Sequence, residues 1–273
     1  MSASRFFTAP VLLVVSSLAR SQQFANIDIK PSSSASSASR LQVLPTGELI
    51  GHSIPVVELI SLAYAVPHNP SPRLASLPEW AVRERFDIEA RISAPSELDT
   101  KDIQAQRRTI ELLLHKLLSE CFGLVLRVRS VTTQVYALTS SGSEQKLTKS
   151  AISPRDCILD TSSEGCHSFA IGFGHPLNSS AADMFDLAHY LENWTDLPVV
   201  DRTGLTGLFE MHSPGWRPMN LPPPPPGGSG TGAEFANLSK LSAVPGSFGL
   251  QLRHEEKSLP FYTVERIDQP NAK

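Results

Sequence analysis

The stretch Phe122-Gly-Leu-Val-Leu-Arg127 has a near copy in Phe248-Gly-Leu-Gln-Leu-Arg253, and fourteen residues after each Phe stands a tyrosine, Tyr136 and Tyr262. The offset between the copies is constant, and six of eighteen aligned positions are identical. Each copy reads as a helix end, a glycine break and a strand. Gly123 and Gly249 allow the left-handed backbone that closes a helix. Leu124/Leu126 and Leu250/Leu252 fall on one face of a strand because strand side chains alternate. Both tyrosines lie in strand-like segments, VYALT and FYTVERI. The expected unit is therefore a helix, a glycine, a strand, a turn and a second strand, the first pair of strands being about 124–130 and 134–139.

Working outward, Thr100 to Cys121 carries Ile103, Ile110, Leu113, Leu114, Leu117 and Cys121 on one helical face, with Asp99 or Thr100 as its N-cap. Pro55 to Ala65 reads as a helix that starts on a first-turn proline and lines up Val56, Leu59, Ile60 and Ala63. Phe86 to Ile92 alternates apolar and charged residues, the pattern of a half-buried strand. Ala182 to Trp194 is a further helix with Met184, Leu187, Ala188 and Leu191 on one face. A strand (Leu197–Asp201), a turn (Arg202–Gly207) and a return strand (Leu208–Met211) follow it. Before the first helix, Phe24 to Ile29 is a short strand ended by Pro31, and Leu41 to Ile50 is a hairpin turning at Thr46-Gly47. A helix and then a strand thus precede each repeated unit. The fold class is α+β: two pseudo-repeated halves, each of helix plus antiparallel strands, sharing one core.

The N-terminus is of another kind. Arg5, the apolar run Phe6 to Ala19 and the small residues Ala19 and Ser21 make a secretory signal, cut before Gln22 or before Arg20. The run is shorter than the roughly 20 residues a membrane span needs, which favours a cleaved signal over the alternative of an uncleaved N-terminal anchor. The organisation reads as a signal over 1–21, a first half over 22–140, an insert over 141–180 and a second half over 181–273. The second half includes a proline- and glycine-rich loop, 214–232, whose Pro222–Pro226 run is a stiff spacer. The expected location is outside the cytoplasm, periplasmic or extracellular, with no transmembrane segment once the signal is removed.

Composition excludes some function classes. Net charge is −3, and cutting before Gln22 removes Arg5 and Arg20 and takes it to −5. A mildly acidic chain without a basic stripe is a poor nucleic-acid binder. Of three cysteines, Cys121 reads as a buried thiol at a helix end. Cys157 and Cys166 are either a pair closing a short loop or two free thiols, and an oxidising compartment favours the bond. The eight histidines are scattered. His167 and His175 stand near the cysteine pair, but four ligands with metal spacing are missing, so no metal and no cofactor is expected. Ser143-Glu-Gln-Lys146 matches the Ser-x-x-Lys of penicillin-recognising enzymes, yet it sits in a polar loop without the partner motifs. Gly228–Gly232 follows prolines and lacks the strand and lysine of a phosphate loop. Asp201, Gly204 and Gly207 mark a tight turn, structural or functional. Trp80, Trp194 and Trp216 read as packing residues.

Four segments together resemble one family: Ile27-Asp-Ile-Lys-Pro-Ser32, Leu59-Ile-Ser-Leu-Ala-Tyr64, Pro78-Glu-Trp80 ahead of Arg85-Phe-Asp-Ile88, and Pro198-Val-Val-Asp-Arg-Thr-Gly-Leu-Thr-Gly207. The closing Val264 to Pro270 fits as well. The chain looks like a member of the soil-associated family of exported bacterial proteins of unknown function. It is similar, further off, to extracytoplasmic parts fused to antirepressor peptidases of the β-lactam-sensor type. By element order it is faintly similar to the short N-terminal domain of secretins and TonB-dependent receptors. The Cys157–Cys166 insert and the proline–glycine loop depart from the family pattern. The resemblance carries no catalytic residue over.

Two functions are weighed. The first is a non-catalytic extracytoplasmic interaction or binding module, its partner an envelope protein or wall polymer. The second is a hydrolase or sensor accessory acting on cell-wall material. The absence of a nucleophile–base set in the sequence favours the first. A polar cluster converging in a concave pocket would favour the second.

Overall fold

The computed structural model describes residues 24–33, 38–68, 71–142, 146–162, 165–169, 176–219 and 238–270. In chain order the elements are β1 (Phe24–Pro31), β2 (Arg40–Val43), β3 (Glu48–Pro55), α1 (Val56–Tyr64), β4 (Leu74–Ala75), α2 (Glu79–Arg83), β5 (Arg85–Ile92), α3 (Ile103–Phe122) and β6 (Val125–Ser140). There follow β7 (Thr148–Lys149), β8 (Leu159–Asp160), β9 (Pro176–Ala182), α4 (Met184–Glu192), β10 (Val199–Asp201), β11 (Phe209–Arg217), β12 (Ser239–Lys240) and β13 (Leu250–Arg266). A 3₁₀ helix, Leu241–Phe248, leads into β13. The class is α+β. The stretch read as a signal, the residues Ser143 to Gln145, His175, the proline run Pro222–Pro226 and the glycine run 228–232 lie outside the described residues.

The repeated motif marks two local copies of one event. Gly123 (φ +57°) ends α3 and Gly249 (φ +74°) ends the 3₁₀ helix, both in the left-handed region. After each comes one long strand, not two strands and a turn. Nothing in Ser130-Val-Thr-Thr133 breaks a strand, and its β-branched residues favour extended backbone. The two long strands then pair with each other. β6 and β13 run antiparallel from Leu250 opposite Ser140 to Val264 opposite Leu126. Thr132 and Ser258, equivalent positions of the two copies, face each other near the middle. The expectation of two halves that each close their own hairpin is corrected accordingly.

The ribbon ends in two separate cores, so the single shared core of the sequence reading is also corrected. The first core takes Leu124 from the start of β6 and Val264 from the end of β13, with Leu126 and Tyr262 packed against it. The second takes Tyr136 and Leu138 from the end of β6 and Leu250 from the start of β13. Each core is built from one end of each strand.

A five-stranded sheet, β1-β5-β3-β2-β8, belongs to the first core and is antiparallel throughout. Its β2–β3 hairpin turns at Thr46-Gly47 as the sequence indicates. The buried faces of α1 and α3 (Leu59, Ile60, Leu113, Leu114, Leu117) complete that core. The ribbon forms a second sheet, β10-β6-β13-β4, and β11 forms a third with β12, β7 and β9. β11 therefore does not return along β10. Seven residues separate the two strands, longer than the usual two- to five-residue hairpin loop, and they carry the chain to another sheet. α4 packs through Met184, Leu187, Ala188 and Leu191 into the second core. Among the described residues no helix is long and apolar enough to cross a membrane.

The left-handed glycine before β6 supplies a stability test. A Cβ at Gly123 would sit at φ +57° and 2.5 Å from Asp268 Oδ2. Gly123→Ala should cost about 1–2 kcal/mol in urea unfolding. Gly246→Ala meets nothing within 4 Å and should change stability by less than about 0.5 kcal/mol.

Candidate functional site

α1 and α3 belong to the first core and α4 to the second, and a cleft of about 220 Å³ opens where the three meet. Residues following Cys157 form a further wall through Ile158, Leu159, Thr161, His167 and Phe169. The lining is mostly apolar, from Leu62, Ile103, Ile110, Phe169, Phe185 and Trp194.

The wall is held by ions that neutralise one another. Arg107, on α3, donates to Asp183 at 2.5 Å and to Asp186 at 3.0 Å, and its guanidinium lies 3.9 Å over the Phe185 ring. Asp183 and Asp186 are the two members of the α4 capping box, each accepting the other's backbone N–H, at 2.9 and 2.8 Å. His167 Nδ1 reaches Asp186 Oδ2 at 2.6 Å. Burial works to raise the Asp186 carboxyl, but the charges of His167 and Arg107 win and hold it far below the usual range. Burial, and then the charge of Asp186, push Asp183 up to about 6. Burial works against protonation of His167, yet its bond to Asp186 holds it above its ordinary value. The ligating atoms of His167, Asp183 and Asp186 lie within 4.8 Å of one another, spacing that suits a cation. The guanidinium of Arg107 is that cation, and a metal ion would have to displace it.

Ser61 and His189 face each other across α1 and α4, Oγ to Nε2 at 3.2 Å. The pair invites comparison with a nucleophile and its base, and Ser61 makes a second hydrogen bond that bears on its direction. Ala65, the residue after α1, is left-handed (φ +50°), and Ser61 Oγ donates to Val66 O at 2.6 Å. A hydroxyl has one hydrogen, so Nε2 of His189 carries the proton and donates to Oγ. In this tautomer the histidine takes no proton from the serine, and Ser61 is only 2% exposed. Burial, with His68 nearby, pushes His189 down to about 4, so the ring is neutral. It stacks on Phe185 with planes 7° apart.

Cys157 and Cys166 are disulfide-bonded, Cα to Cα 5.6 Å, against Ile103, Ala181 and Leu208. The bond, together with the His167 N–H to Ala181 O hydrogen bond of 2.8 Å, fixes the segment that carries His167 into the wall. Cys121 is half-buried and unbonded to sulfur. Asp201 Oδ1 accepts from Thr203 N and Oγ1, both at 2.8 Å, while Gly204 (φ +69°) and Gly207 (φ +106°) sit in open space. These three residues do not line the cleft. Trp216 is fully buried, Trp80 packs on the first core, and Trp194 lines the cleft. The sequence reading passed over Ser61, Arg107, Asp183, Asp186 and His189. The Asp183-x-x-Asp186 spacing before an apolar helix was the one local signal of them.

The network has a pH signature. His167 binds its proton more tightly folded than unfolded, so its stabilisation is full below about pH 6.5 and fades as pH rises through its raised folded value. The stability gap between wild type and His167→Gln should narrow steadily as pH goes from about 6 to about 9 in thermal melts. A gap that widens over that range would contradict the assigned charge state.

A family model described as a protein of unknown function, DUF3738, matches residues 57–267. No curated protein and no solved structure matches the chain significantly. The matched span runs from the second residue of α1 to just beyond β13 and takes in α3 and α4, so all three helices of the cleft fall within it. The chain belongs to the DUF3738 family, a family of unknown function.

Proposed function

We propose that the protein is an exported, non-catalytic binding module whose ligand site is the cleft between α1, α3 and α4. The observation that carries this reading is the cleft's lining: apolar walls with a few polar groups, the composition of a small-molecule site. Its strongest charges, Arg107 with Asp183 and Asp186, are closed on one another and serve to hold the walls. The direction of the Ser61–His189 hydrogen bond weighs against the alternative of a wall hydrolase. Export is supported by the Arg5 and Phe6–Ala19 signal pattern and by a disulfide of the kind that persists in oxidising compartments.

A neutral fluorescent probe of matching size tests the reading. An apolar cavity of about 150 Å³ holds benzene, so a two-ring body suits this cleft. 2-Naphthol should bind one saturable site, and Leu62→Trp, which fills the cleft from α1, should abolish that binding while leaving the melting temperature within a few degrees. No saturable binding, or binding untouched by Leu62→Trp, would refute it.

A further inference from the structure

Three polar groups of the cleft stand as acceptors: His189 Nδ1 and the carboxyls of Glu58 and Glu111. Since Nε2 of His189 donates to Ser61, its Nδ1 is a bare lone pair, and no described residue donates a hydrogen bond to it. The ring is half-buried in the cleft wall, and burial among its neighbours keeps it neutral. Glu58 on α1 and Glu111 on α3 line the same cleft, and neither forms an ion pair among the described residues. Burial pushes both carboxyls up, against Ser39 and Arg85 at Glu58 and against Arg107 and Arg108 at Glu111. The cations on this wall are already paired, Arg107 with Asp183 and Asp186 and the protonated His167 with Asp186. His68, also in the lining, is pushed towards neutrality by burial. A ligand carboxylate or phosphate would enter beside two glutamates, with the cleft's cations among the described residues already paired. A ligand that donates N–H bonds would satisfy His189 Nδ1 and bring the missing positive charge to the glutamates. Aromatic faces at Phe169, Tyr190 and Trp194 add to the attraction for a cation.

We propose that the cleft binds a small amine, an apolar or aromatic body of about ten heavy atoms bearing an ammonium head, with Glu58, Glu111 and His189 Nδ1 receiving the head. The assignment rests on the reading of the cleft as a ligand site and adds the chemical class of the ligand.

The test is calorimetry on the disulfide-bonded protein with three probes of nearly one shape: 2-phenylethylamine, 2-phenylethanol and phenylacetate. The amine should bind at least about tenfold more tightly than the acid, the ratio expected of one charge-assisted hydrogen bond. The isosteric double variant Glu58→Gln/Glu111→Gln should erase that preference while still binding the alcohol, which shows that the cleft remains formed. Equal or tighter binding of the acid overturns the proposal, as does a preference unchanged in the double variant. If none of the three binds while 2-naphthol still does, the amine assignment falls and the binding-module reading survives. If 2-naphthol fails as well, both fall.

Discussion

The buried guanidinium of Arg107 is the constraint on which the arrangement of helices depends. It stands on α3, in the first core, and its two partners stand at the start of α4, in the second. A charge removed from water needs a counter-charge and satisfied hydrogen bonds, and it tolerates little displacement once it has them. Asp183 and Asp186 meet that need while capping the helix they begin, so one pair of carboxylates starts α4 and ties it to α3. A second buried pair, Arg73 with Glu192 at 2.6 Å, ties the other end of α4 to the segment before β4. The ribbon of β6 and β13 joins the same two cores through the backbone. The cleft is the space these ties leave between the helices, and its volume follows from them.

What the sequence revealed and what it hid divide along contact range. α3, α4, β5 and the β2–β3 hairpin were legible because periodicity, caps and turn residues are local. Even there, capping was misplaced by a few residues. Asp102, not Asp99 or Thr100, accepts from Gln104 and Ala105, because Thr100 is itself bonded to the Asp102 N–H. The self-match located both long strands and both left-handed glycines. It was silent on pairing, and two equivalent strands satisfy the same pattern whether each folds on its own neighbour or on the other. The cleft was illegible for the same reason. Ser61 and His189 lie 128 residues apart, and Arg107 and Asp183 lie 76 apart. Ser61 looks like any small polar residue on a helix, and only the left-handed Ala65 behind it shows where its hydroxyl points.

The chemistry of the cleft is one of balance already struck. A serine and a histidine lie within bonding distance, yet the serine's hydrogen closes a helix and the histidine donates rather than accepts. A histidine and two aspartates gather at metal-like spacing, yet a guanidinium fills the gap. Both arrangements resemble machinery, and in the proposed reading both act as scaffolding for walls that are largely apolar. The disulfide serves the same end, fixing the segment that forms a further wall of the cleft. A binding role makes use of such a rigid, preformed space, and rigidity of this kind lowers the entropic cost of holding a ligand.

The most direct test of the account is a methyl and amide NMR map of the disulfide-bonded protein titrated with 2-phenylethylamine. The account predicts that one saturating process shifts Leu62 on α1, Ile110 on α3, Ile158 beyond Cys157 and His189 on α4 together, with resonances of the exposed middle of the β6–β13 ribbon unchanged. Shifts confined to one core, or scattered over the outer faces of the sheets with the cleft residues still, would contradict it.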